Sequence, residues 1–153
     1  MKVYAIGALA GALLLAMPAH AETVLPADTT VTVAPVADIS SKKMKEGDVQ
    51  SFQVVNDVVQ NGVVVIPRGA PVKGKITWRT GKGIGGKSAK FEVVFETVTA
   101  GGRTWAMKGK HRQEGKGNTV AALLGSMLIS GHSAVMLQGQ AVPALTAEPI
   151  TVQ

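Results

Sequence analysis

The sequence predicts an all-β, mostly antiparallel fold: a small barrel or sandwich of about seven or eight strands, with one short apolar helix near residues 119–137. Three observations carry this. Apolar and polar residues alternate at period two through the middle of the chain. Two-residue turn signals, Asn61-Gly62 and Gly101-Gly102, separate such stretches. The one long departure from alternation is an uncharged run beginning at Thr119.

The elements follow in order. Residues 1–21 read as an export signal: Lys2 supplies the positive start, Val3 to Met17 is apolar, and Ala19-His20-Ala21 places small residues at the cleavage positions. The apolar run is about 15 residues where a membrane span needs roughly 20, and cleavage leaves a single β-rich domain, residues 22–153. A periplasmic or outer-membrane-associated location is therefore expected. Val24 to Val36, rich in threonine, valine and proline, is expected as an extended edge strand. Phe52 to Val59 and Val63 to Ile66 flank Asn61-Gly62 as a hairpin.

From Val72 the alternation sharpens. Val72, Gly74, Ile76 and Trp78 fall on one face of a strand, and Lys73, Lys75, Thr77 and Arg79 on the other. Ala89, Phe91, Val93 and Phe95 repeat the pattern against Lys90, Glu92 and Glu96, and Arg103, Trp105 and Met107 form a third strand after the glycine pair. This places Trp78, Phe91, Phe95 and Trp105 on apolar faces, as core. A weak internal echo runs through the chain: Leu25, Asp28 and Val31 share their spacing with Ile66, Gly69 and Val72, and with Met136, Gly139 and Val142. Chance self-similarity of a valine-rich chain and a repeated strand-turn unit both account for it. Thr119 to Leu137, dominated by alanine, leucine and methionine, favours helix. Its serines and His132 suit a packed helix, with membrane contact as the alternative.

Composition narrows the function. With 153 residues, 46% hydrophobic, a formal net charge of +6 and no cysteine, the chain excludes a disulfide miniprotein, a thiolate zinc site and a cysteine nucleophile. Gly81 to Ser88 matches the glycine-x4-glycine-lysine-serine pattern of a phosphate loop. That motif works at the start of a helix, and here the following residues alternate as a strand, so a glycine-rich hairpin loop is expected. His111 and His132 are too few for a metal site, no Gly-x-Ser-x-Gly elbow surrounds Ser126, Ser130 or Ser133, and no carboxylate pair stands out. The expectation is a protein with no catalytic role, cofactor or metal.

Charge is the remaining signal. Residues 68–116 hold twelve basic and three acidic side chains, against three basic and six acidic in residues 22–67. Lys73, Lys75, Arg79, Lys82, Lys87, Lys90, Arg103, Lys108, Lys110 and Arg112 are the candidate anion-binding residues. The partners expected are an envelope protein or another anionic envelope component, with nucleic acid in DNA transfer or uptake as the alternative. Peripheral membrane contact through 119–137 and self-association are further expectations.

With these residues in hand, the chain resembles the C-terminal β-barrel domain of the scaffold protein of bacterial type IV secretion and conjugation core complexes. The resemblance runs in order through Val24-Leu25-Pro26-Ala27-Asp28-Thr29, Ile39-Ser40-Ser41, Asn56-Asp57-Val58 and Val65-Ile66-Pro67-Arg68-Gly69-Ala70-Pro71-Val72-Lys73-Gly74. It continues at Phe91-Glu92-Val93-Val94-Phe95 and Gly101-Gly102-Arg103. It implies a short, stand-alone, exported barrel module acting in envelope assembly or secretion. The family scaffold carries a cytoplasmic tail, an inner-membrane span and a proline-rich stretch before its barrel, where this chain has the export signal. In the family a helical hairpin lines the outer-membrane pore, and Thr119 to Leu137 stands where a shortened counterpart is expected.

Overall fold

The computed structural model describes residues 21–81, 88–115 and 133–153, and among these it contains thirteen strands and no helix. The first seven are β1 (Thr23–Leu25), β2 (Thr30–Pro35), β3 (Ile39–Ser40), β4 (Val49–Val54), β5 (Val58–Gln60), β6 (Val63–Ile66) and β7 (Pro71–Thr80). Then come β8 (Lys90–Ala100), β9 (Arg103–Lys108), β10 (Lys110–Glu114), β11 (Val135–Met136), β12 (Val142–Thr146) and β13 (Ile150–Val152).

Seven of them form one antiparallel sheet in the order β10-β8-β7-β4-β2-β12-β9, and an additional β8–β9 pairing closes it into a ring. β9 and β10 run along the same edge of β8, whose Thr97–Ala100 half pairs with Arg103–Ala106 while its Lys90–Val94 half pairs with Lys110–Glu114. Closure removes the exposed edges that an open sheet of this length would present. The inward side chains fill the barrel: Val31 and Val33, Phe52 and Val54, Val72 and Ile76, Phe91, Val93, Phe95 and Val98 are all buried. Phe52 and Phe95 meet edge to face with ring centroids 5.2 Å apart. Room for that pair comes from Gly74, where a Cβ would stand 2.7 Å from Val93 Cγ1 and 2.9 Å from Phe52 Cε2.

The internal echo in the sequence is a repeated structural joint. Asp28, Gly69 and Gly139 take left-handed φ of 63°, 83° and 80°. Their amides donate to the carbonyls of Thr146, Val54 and Pro35 at 2.9, 2.8 and 3.1 Å. At each joint two paired barrel strands bend away together into a two-stranded ladder. The β2–β12 pair continues as β1–β13 below and β3–β11 above, and the β4–β7 pair continues as β5–β6. The apolar positions of the echo, Leu25, Val31, Ile66, Val72, Met136 and Val142, are buried on either side of the joints. An aspartate cap recurs as well: Asp57 accepts the amide of Arg68 at 2.6 Å and Asp38 that of Gln138 at 2.7 Å.

Several expectations are corrected. Val24 to Val36 is two strands, and β2 lies inside the sheet between β4 and β12, because Pro35 falls at its last position and removes no interior ladder bond. Phe52 to Val59 is broken between Val54 and Val58, at a joint. Of the helix expected over 119–137, residues 119–132 lie outside the described residues, as do 1–20. Its final positions are not helical, since Val135–Met136 pairs with Ile39–Ser40 and Ala134 exchanges hydrogen bonds with Ser41. Strand pairing there buries Met136 completely. The two hairpins form as expected, with Asn61 and Gly62 both at positive φ. Among the described residues, β8 follows the glycine-rich stretch as a strand and not as the helix whose N-terminus a phosphate loop uses.

Candidate interaction surface

The outer face of β7, β8 and β10 gathers five of the eight candidate cations among the described residues: Lys73, Lys75, Lys90, Lys110 and Arg112. Its rows are fixed by register. Lys110 pairs with Val94, Val94 with Lys75, and Lys75 with Val49, forming one line across four strands. The next line runs Arg112, Glu92, Trp78, and the one above it Glu114, Lys90, Thr80. Lys73 lies below, between Ser51 and Thr97.

A register shift between Ile76 and Trp78 rearranges the predicted faces. The extra residue, Thr77, reverses the in-out parity of everything after it. Trp78, expected in the core, becomes the partner of Glu92 on the outer face, with the Arg112 guanidinium 4.8 Å from its ring centroid. Arg79, expected beside Lys73 and Lys75, becomes the partner of buried Phe91 and faces inward. Its Nη2 donates to the Ser41 carbonyl at 2.8 Å and its backbone amide to Glu46 at 3.3 Å. Trp105 is half-buried rather than fully in the core and donates its indole N–H to the Ala100 carbonyl at 3.2 Å.

Neutralisation divides the remaining cations. Glu92, only 14% exposed, receives Arg112 at 3.3 Å and Lys110 at 3.7 Å. Its other oxygen accepts from the Thr77 hydroxyl at 3.3 Å. Lys90 pairs with Glu114 at 2.9 Å, and Lys108 with Asp28. Arg103 is exposed at the opposite end of the barrel, next to the β8–β9 turn. Lys82 and Lys87 lie outside the described residues. Lys73 and Lys75 are left: adjacent on one strand face, exposed, and without an ion-pair partner among the described residues.

Tertiary contact adds cations that sequence reasoning missed. Lys42, Lys43 and Lys45 sit in a segment with more acids than bases. Their turn is tied to β7 by Gly47 N–H to Ile76 O at 2.7 Å and Ile76 N–H to Asp48 O at 2.9 Å. Three exposed lysines thus stand at the upper end of β7. No local pattern announces this, because the link spans about thirty residues of chain and depends on β4 pairing with β7.

No protein-family model matches the chain, and no curated protein matches it in sequence. Solved structures do match. One is ComB10 of the Com type IV secretion system of Helicobacter pylori, with a TM-score of 0.51 and 14% identity, covering 84% of this chain and 90% of that one. The likeness is a distant one of fold: the closed, mostly antiparallel β architecture described above is similar to that of ComB10 over nearly its whole length.

Proposed function

We propose that this protein is a non-enzymatic module of a type IV secretion or conjugation apparatus, exported to the periplasmic or outer-membrane side of the envelope. It meets an envelope protein, or another anionic envelope component, through the outer face of β7. The observation that carries the reading is the likeness of fold to ComB10, which extends over 84% of this chain and 90% of that one. Lys73 and Lys75 are the contact residues, because on the outer face of β7, β8 and β10 they are the candidate cations without an acidic partner among the described residues.

The test is affinity isolation from detergent-solubilised envelopes of the source cell. The protein should recover envelope components at low salt, and Lys73→Glu with Lys75→Glu should abolish recovery while leaving the unfolding transition unchanged. Salt-insensitive recovery by the reversed variant would remove the cationic face. Unaltered secretion and DNA transfer in cells lacking the protein would remove the assignment to the apparatus.

A second reading has one observation in its favour. Trp78 is on the outside, between Arg112 and the Lys75 row, and an outward aromatic among cations suits stacking on nucleic-acid bases. Single-stranded DNA binding that falls steeply with salt and is lost in Trp78→Ala would favour it.

A further inference from the structure

At the lower mouth of the barrel, a slot of about 560 Å³ opens between the start of β9 and β13, lined among others by Ala100, Arg103, Trp105, Thr151 and Val152. We propose that this slot is a docking site for an extended acidic peptide segment, which adds as a strand to the edge of β9 at Thr104. The inference concerns a surface on the opposite end of the barrel from the Lys42–Lys45 turn and stands independently of the function proposed above.

The backbone supplies the first part of the argument. Gly101-Gly102 is a two-residue turn, so Ala100 and Arg103 close the hairpin and hydrogen-bonded pairs alternate from there. Thr104 and Ala106 therefore turn their N–H and C=O groups away from β8. At Ala106 both groups are used: its amide donates to Glu148 Oε1 at 2.6 Å, and its carbonyl accepts from Ala147 N–H at 3.0 Å. At Thr104, two residues earlier on the same edge, neither group has a partner among the described residues. On the far side of the slot, β13 has one ladder partner, β1. The outer edge of β9 is thus unpaired at one rung among the described residues, between Arg103 and Trp105, which line a cavity whose size is within the range of roughly 300–1,000 Å³ typical of ligand sites.

Side chains supply the second part. Trp105 offers an apolar wall, its ring fixed by the Nε1 bond to Ala100 O at 3.2 Å. Arg103 is exposed and makes no ion pair among the described residues, so an incoming carboxylate gains a charge-assisted partner. Glu22 also lines the slot and disfavours acids on its own side, which restricts the carboxylate to the Arg103 end. An extended backbone meets the Thr104 rung, an apolar side chain covers Trp105, and an acidic one reaches Arg103. This is strand addition with pockets for alternate side chains.

The experiment uses the intact protein carrying Trp78→Phe, so that Trp105 is the sole tryptophan, and follows its fluorescence on titration with acetyl-Asp-Thr-Val-Thr-Asp-amide, whose acidic and apolar side chains share one face as Arg103 and Trp105 do. A saturable change is expected. Arg103→Glu should weaken it by about tenfold or more, and N-methylation of the peptide amides facing β9 should abolish it. The counterpart with lysine in place of aspartate should not bind. Absence of a saturable change, equal binding of the aspartate and lysine peptides, or indifference to N-methylation would each overturn the proposal. Arg103→Gln, neutral and exposed, guards against misfolding of the charge-reversed variant and should give an intermediate loss.

Discussion

Arg79 is the cross-strand partner of Phe91, and its guanidinium therefore shares the inner face of the barrel with a fully buried ring, held by the Ser41 carbonyl at 2.8 Å. A residue that reads as one of a row of surface cations is instead a structural tie between β7 and the turn after β3. Arg79→Glu replaces that donor with an acceptor facing a carbonyl. We expect it to cost about 2 kcal/mol or more in urea unfolding, whereas Lys73→Glu should change stability by less than about 0.5 kcal/mol.

Gly69 and Asp28 occupy equivalent joints, yet only one of them is the residue that left-handed backbone favours. Gly69→Ala and Gly139→Ala should each destabilise by about 1–2 kcal/mol, because a Cβ at their φ of 83° and 80° is strained where no atom crowds it. Asp28→Gly relieves the same strain and loses only an exposed ion pair with Lys108. Its midpoint in thermal or urea unfolding should match or slightly exceed that of the parent.

Gly74 is needed for space. Gly74→Ala brings a methyl within 2.7 Å of Val93 Cγ1 and 2.9 Å of Phe52 Cε2. The expected cost is about 1–3 kcal/mol. Val93→Ala removes one of the two clashing groups, so the double variant should be more stable than the sum of the single losses implies. A double-mutant cycle in urea measures the coupling; strict additivity would show that the barrel wall shifts instead.

Glu92 holds down the charge of the outer face, since it receives both Lys110 and Arg112. Glu92→Gln should leave the fold nearly as stable, within about 1 kcal/mol. It should also raise the salt concentration needed to elute the protein from a sulfated matrix. An unchanged elution point would mean that the two cations are not presented to solvent on that face.

Much of the barrel was legible. Strands at 72–79, 89–96 and 103–107 follow from alternation, and both hairpin turns follow from residues that tolerate positive φ. The bulge at Thr77 was not: nothing in Lys75-Ile76-Thr77-Trp78-Arg79 breaks the alternation, and β8 imposes the shift from outside. A second shift, opposite Glu96, left a faint trace in the sequence, because the apolar positions change from Phe95 to Val98 and Ala100. The candidate surface was legible as a charge excess but not as a site. Which cations remain uncompensated depends on Glu92, Glu114 and Asp28, and Asp28 comes from the distant turn between β1 and β2.

The amino-acid sequence alone determined the all-β class and the turns, because each rests on interactions among residues a few positions apart. Closure of the ring, the inward turn of Arg79, the outward turn of Trp78 and the isolation of Lys73 and Lys75 were decided only in the folded molecule. Register between strands is a property of the pair, and one inserted residue exchanges the two faces of everything that follows.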